Sequence, residues 1–161
     1  MKSNSKQLSN GMTIPQIQLG LWMMPGAEVT KPVHWALLSG YRGFDSAQMY
    51  QNERETGRAI RDFLAGPDNT LGLTREDIFY TTKLEHSSSS YDTARRSIAQ
   101  SVADSGLGYV DLFLLHSPHG GREARMTSWR ALEDAVHDGE VRMAGVSNYG
   151  VRHVGLLPGK R

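Results

Sequence analysis

The sequence contains no cysteine. A disulfide framework, a thiolate nucleophile and a thiolate metal site are therefore excluded, and the composition fits a reducing compartment. An excess of either charge is also lacking, since 18 Lys and Arg face 17 Asp and Glu for a net +1. No polybasic run precedes the closing Gly159-Lys160-Arg161, so neither nucleic acid nor a membrane surface is expected as a partner. Long apolar runs are missing, and the polar opening Met1 to Gln7 does not resemble a signal peptide. A cytoplasmic protein is expected. What is present is enough for a core: 39% of the 161 residues are hydrophobic, and a domain of this size buries roughly 70% of its unfolded surface.

Asn10-Gly11, between Leu8 and Met12 to Ile14, predicts a small hairpin with a type I′ turn. After it, short apolar runs alternate with stretches of helical period. Strands are expected at Ile17 to Leu21, Tyr41 to Asp45, Ile78 to Lys83, Val110 to His116 and Arg142 to Ser147. Helices are marked by Val29, Val33, Ala36 and Leu37, by Ile60, Phe63 and Leu64, by Ala94, Ile98 and Val102, and by Trp129, Leu132 and Val136. Gly139 is expected to close the last of these, and Ser87 to Ser90 to form the loop entering the third. The run Leu112 to Leu115 is apolar without alternation, as in a parallel strand covered on both faces.

The strand ends Asp45, Lys83, His116 and Ser147 follow one another at 38, 33 and 31 residues. Eight such units need about 270 residues, close to the roughly 250 of an eight-fold barrel, and this chain holds about five. A doubly wound sheet fits the length better but calls for a glycine-rich phosphate turn. Neither G-x-G-x-x-G nor G-x-x-x-x-G-K-[ST] occurs.

Those strand ends are polar, and in a parallel barrel they converge on the face that holds the chemistry. Taken singly, Asp45 reads as a helix cap, Lys83 as a solvated cation, His116 as a core histidine and Tyr50 as a loop aromatic. Taken together they form one device. A phenol is a poor acid at neutral pH, but an adjacent ammonium stabilises its phenolate. Lys83 supplies that charge and Asp45 keeps the lysine protonated, while His116 is placed to orient a carbonyl oxygen toward Tyr50. Such an assembly gives a proton to an oxygen that is gaining negative charge. That suits hydride addition to a carbonyl from a nicotinamide.

The sequence resembles the aldo-keto reductases. The stretches that carry the resemblance are Gly40-Tyr41-Arg42-Gly43-Phe44-Asp45-Ser46-Ala47 with Tyr50, Asn52-Glu53 and Gly57, then Thr82-Lys83-Leu84. They continue with Tyr109-Val110-Asp111-Leu112 to Leu115-His116-Ser117-Pro118, and Gly145-Val146-Ser147-Asn148-Tyr149. Similarity runs from about Leu8 to about His153. It implies an α/β fold of parallel (β/α)8 TIM-barrel type, incomplete here, with about five strands, four helices and a short N-terminal hairpin. It implies reduction of an aldehyde or ketone with NADPH, with Tyr50 as catalytic acid, Asp45 and Lys83 as its tuning pair, and His116 orienting the carbonyl. Asp45, Ser147 and Asn148 correspond to cofactor-binding positions, and Trp22 with His116 to the substrate pocket; no metal is implied. Leu21 stands where many members have threonine and Ser117 where many have tryptophan, which bears on substrate preference.

The expected organisation is one partial domain over 1–161 with a divergent tail at 154–161. Two glycines and a proline among the last seven residues oppose a helix there, and the ending reads as a C-terminal truncation. In such barrels the phosphate site is commonly built from the loops after strands seven and eight. Two functions are therefore open: an aldo-keto reductase, or an inactive fragment or regulatory module of the same fold. Unpaired barrel edges would also favour self-association.

Overall fold

A computed structural model of the chain describes residues 5–155. The elements are β1 (Ser5–Gln7), β2 (Thr13–Pro15), β3 (Leu19–Gly20), α1 (Thr30–Leu38), β4 (Gly43–Asp45), α2 (Glu53–Ala65) and β5 (Phe79–Leu84). They continue with α3 (Tyr91–Ser105), β6 (Val110–Leu115), α4 (Gly121–His137), β7 (Val141–Val146) and the single turn α5 (Val151–Val154). β1 and β2 form an antiparallel pair, and the other five strands form one sheet in the order β3-β4-β5-β6-β7. Every neighbouring pair in that sheet is parallel. The order never reverses, so the sheet lacks the switch point of a doubly wound fold and is a segment of a barrel wall. Helices α1 to α4 return the chain between successive strands.

Strand register sorts the side chains. Phe44 pairs with Tyr80, and Thr82 with Phe113; Phe44, Tyr80, Leu84, Phe113 and Leu115 share one core with Val33 and Leu37 of α1, Ile60 of α2, Ile98 of α3 and Leu132 of α4. The alternate positions point away from the helices. There Lys83 pairs with Leu114, and Leu114 with Gly145. A side chain at Gly145 would meet Leu114 and Leu112. Leu112 and Leu114 are only half-buried, whereas Phe113 and Leu115 are buried. The apolar run of β6 is thus fully covered on its helix side alone.

The two strands that differ from expectation are shortened by identifiable chemistry. Tyr41 belongs to the closure of α1: Gly40, at φ +93°, donates to Leu37 O, and Tyr41 N–H donates to Ala36 O. That pair of bonds is a Schellman motif, and it delays β4 to Gly43. Ile17 is exposed, so the first barrel strand is only Leu19–Gly20. Gly139 closes α4 in the same way, at φ +78°, with Glu140 N–H on Ala135 O. The hairpin forms, but its turn is not type I′. Gln7 faces Thr13 across five loop residues, and Gly11 has positive φ while Asn10 does not. Instead the Asn10 side chain accepts from Met12 N–H, the local bond that lets Asn turn a chain without leaving the right-handed region. Of the tail, one helical turn reaches Val154, and residues 156–161 lie outside the described region.

Candidate active site

Each expected site residue lies at or just beyond the carboxyl end of a strand. Asp45 ends β4, and a 3-10 turn at Gln48–Tyr50 carries the tyrosine back over the strand ends. Lys83 is the fifth residue of β5, His116 follows β6 and Ser147-Asn148 follow β7. Lys83 Nζ donates to Asp45 Oδ1, to Ser46 O at 2.8 Å and to Tyr50 Oη at 3.2 Å. The three donors of the ammonium are all used. It is 5% exposed, and it lies 4.7 Å from the centre of the Tyr50 ring. A buried ammonium is stable only beside a counter-charge with its remaining protons bonded, and Asp45 and Ser46 O meet both conditions.

His116 stacks edge-on to Tyr50, with ring centres 5.8 Å apart at 78°. Its Nδ1 is buried without a protein partner among the described residues. Burial, and then the Lys83 charge, push the imidazole below its ordinary pKa. A neutral imidazole beside a phenol offers a hydrogen bond to a carbonyl oxygen without competing for the transferred proton. Trp22, 67% exposed, follows β3 at the same end and is no core aromatic. Leu21 is instead fully buried in the helix-side core, so that departure from the family pattern acts on packing.

Asn148 Nδ2 donates to His116 O at 2.9 Å and to Ser147 Oγ at 3.1 Å, and Ser147 N–H donates to Leu115 O. These bonds leave Asn148 Oδ1 as an acceptor and the Ser147 hydroxyl proton as a donor. That is the complement of a carboxamide, so the residues present fit the nicotinamide end of a dinucleotide. Backbone strain converges here too. The non-glycine residues with positive φ among the described residues are Met23 (63°), Gln51 (54°) and Asn148 (60°). All three sit in loops on this face, where such strain of roughly 1–3 kcal/mol each commonly collects at functional sites.

Residues behind the site were not assigned a role from the sequence, although Asn52-Glu53 lay within a matching stretch. Gln48 Nε2 donates to Ser97 O, Ser97 Oγ and Ser101 Oγ of α3, and its Oε1 accepts from Glu85 N–H. This pins the turn that carries Tyr50. Glu53 accepts from the hydroxyls of Thr82 and Ser101, and burial raises its carboxyl above the usual range against those two bonds. The visible signal was an acid in the first turn of α2, which reads as an exposed dipole partner; only the tertiary structure shows it buried under α3.

Many known proteins are similar to this chain in sequence or in fold. An uncharacterized oxidoreductase of Schizosaccharomyces pombe is 46% identical over 148 residues, 92% of this chain and 51% of its own length. An aldo/keto reductase from Brucella melitensis superposes with a TM-score of 0.84 at 34% identity, over 96% of this chain and 57% of its own. A Bombyx mori aldo-keto reductase, solved in complex with NADP, gives 0.82 at 31% identity, over 96% and 55%. The chain spans about half the length of the curated relatives it matches. Residues 16–160 match the model of the Aldo/keto reductase family, and with the barrel wall and its polar strand ends this makes the chain a member of that oxidoreductase family.

Proposed function

We propose that this chain carries the proton-donating site of an NADPH-dependent reductase that converts aldehydes or ketones to alcohols. The observation that carries the reading is the buried Lys83 ammonium, fixed by Asp45 and Ser46 O with its remaining bond on Tyr50 Oη. NADPH, when bound, supplies the hydride. Ser147 and Asn148 hold its carboxamide, and Asp45 borders the same end. Neutral His116 donates a hydrogen bond to the substrate carbonyl oxygen, with Trp22 at the pocket mouth. Tyr50 Oη then gives its proton to that oxygen as charge develops, and Lys83 stabilises the phenolate that remains. A positioned general acid of this kind is worth about 10²–10⁴ in rate. The carbonyl compound is a small molecule, and the reading places the protein in the cytoplasm; no helix among the described residues is long and apolar enough to cross a membrane.

The outer strands β3 and β7, each paired on one side alone among the described residues, favour a second reading, a non-catalytic module of the same fold that associates with itself through those edges. NADPH binding, followed by cofactor fluorescence with folding checked by circular dichroism, separates the two. Saturable binding and carbonyl turnover are expected, with Tyr50→Phe retaining the binding and losing at least about 10²-fold in rate. A folded chain that does not bind NADPH, and sediments as an oligomer, supports the second reading.

A further inference from the structure

Asn52 immediately precedes α2, where an asparagine ordinarily caps the helix with its side chain. It makes no such bond. Its Nδ2 donates instead to Leu21 O and to Met24 O, each at 2.9 Å, and its Oδ1 accepts from Ser46 Oγ at 2.6 Å. The side chain is fully buried. Its orientation follows from the partners, since the reverse amide would set an oxygen against two carbonyls.

These three bonds tie together the two segments that frame the site. Leu21 and Met24 bracket Trp22 and Met23, the latter held at φ +63°. Ser46 offers its carbonyl to Lys83 Nζ, and its own N–H donates to Thr81 O. Leu21 N–H also donates to Asp45 O, so Leu21, Asn52, Ser46 and Asp45 close a hydrogen-bonded ring, two members of which, Asp45 and Ser46, hold the lysine. A residue in a strained conformation persists when its surroundings over-determine it, and the two Asn52 bonds fall on either side of Met23.

We infer that Asn52 is a positioning residue, which holds the Trp22 loop and the Ser46 carbonyl that seats Lys83 in a single geometry. It forgoes the helix cap to do so. The substrate mouth and the ammonium that serves Tyr50 are therefore mechanically one unit, and loosening either end of the Asn52 side chain displaces the other. The catalytic consequence rests on the reductase reading above; the geometric consequence does not.

Two variants of the full chain test it. Asn52→Asp is isosteric, removes both donors to the Trp22 loop and keeps an acceptor for Ser46. Ser46→Ala removes only the other arm and leaves the carbonyl that accepts from Lys83. The readouts are the indole N–H signal of Trp22, identified with Trp22→Phe, and the ring signals of Tyr50 in isotope-labelled protein. The expected result is that each variant shifts both sets, Asn52→Asp moving Tyr50 and Ser46→Ala moving Trp22, while distant signals stay in place. If Asn52→Asp does not fold, Ser46→Ala alone decides. Signals that stay put, or a mere fall in melting temperature with both sets unmoved, overturn the inference. Where the parent chain reduces a carbonyl, kcat in a folded variant falls roughly tenfold or more with NADPH affinity unchanged. A parent chain without turnover counts against the reductase reading only, because the spectra still decide the role of Asn52.

Discussion

Two cation–carboxylate pairs, each with one buried member, sit at opposite ends of the same sheet. At the amino end, Arg75 donates to Asp111 Oδ2 at 2.7 Å and also to Leu107 O, Ile78 O and Tyr109 O. Asp111 in turn accepts from Tyr80 N–H, and the Tyr109 ring lies between the guanidinium groups of Arg75 and Arg142, each 3.9 Å from its centre. At the carboxyl end, Lys83 bonds Asp45 and one carbonyl, and its last bond goes to the phenol of a half-buried tyrosine. The first pair spends most of its donors on backbone carbonyls, tying the turn before β5 to the loop before β6. The second spends one on a group that can give up a proton. Burial of an ion pair does not mark a site; the partner of the last donor does. A 440 Å³ cavity lined by Arg42, Asp111 and Arg142 lies at the amino end, away from the Tyr50 phenol.

Replacing each cation by methionine separates the two roles. Arg75→Met leaves Asp111, whose side chain is 5% exposed, with Tyr80 N–H and the more distant Arg142 Nη1 at 3.5 Å, and frees three backbone carbonyls. A loss of about 1–3 kcal/mol is expected, as for buried polar groups left unpaired, read as a lower denaturant midpoint. Lys83→Met leaves Asp45, whose side chain is 33% exposed and can be hydrated. Its stability is expected to change by less than about 1 kcal/mol or to rise, because a buried ammonium has been traded for apolar volume. Any carbonyl reduction is lost with it. Equal stability losses in the two variants would remove the distinction between the two ends.

The βα alternation was legible because the apolar run Leu112 to Leu115 of β6 lies between stretches of helical period, and because Gly139 ends its helix by a mechanism visible in the chain. The length of β3 was not, since Ile17 looks like a strand residue and only the tertiary structure leaves it exposed. Nor was the turn type of the hairpin, because Asn10-Gly11 suits several turns and the five-residue loop is set by pairing register. Asp45, Lys83, Tyr50 and His116 could be brought together from strand spacing alone, as strand ends converge wherever parallel strands alternate with helices. Gln48, Asn52 and Glu53 could not. Apart from Ser46, whose hydroxyl reaches Asn52 from a nearby turn, their partners lie 28 to 53 residues away in sequence, and their residue types are those of ordinary loops and helix starts.

Acid exposes the carboxyl end in particular. In the folded chain burial and Lys83 hold the His116 pKa below 6.5, the value from which it is lowered. As pH falls through that value the unfolded chain takes up a proton that the folded chain refuses. By linkage, stability declines on the acid side and is fully present above it. Urea midpoints at neutral and mildly acidic pH are therefore expected to lie closer together in His116→Gln than in the parent. An unchanged spacing would show that the imidazole protonates freely in the folded site.

The mildest test makes one chemical change at both ends. Tyr50→Phe and Tyr109→Phe each delete a hydroxyl and keep a ring. The Tyr109 hydroxyl is buried and has no hydrogen-bond partner among the described residues, while its ring faces two guanidinium groups. Cation–π attraction belongs to the ring and survives in phenylalanine, and removing an unpaired buried hydroxyl recovers its desolvation cost. Tyr109→Phe is thus expected to leave stability within about 1 kcal/mol of the parent, or above it, and to leave NADPH binding and any turnover untouched. Tyr50→Phe also costs little stability, because Lys83 keeps Asp45 and Ser46 O, yet it removes the proton that the proposed reduction needs. Denaturation curves that nearly superimpose, beside rates that differ by orders of magnitude, would show that the two aromatic–cation clusters share a physical form and that only the one with a transferable proton facing the substrate side does chemistry.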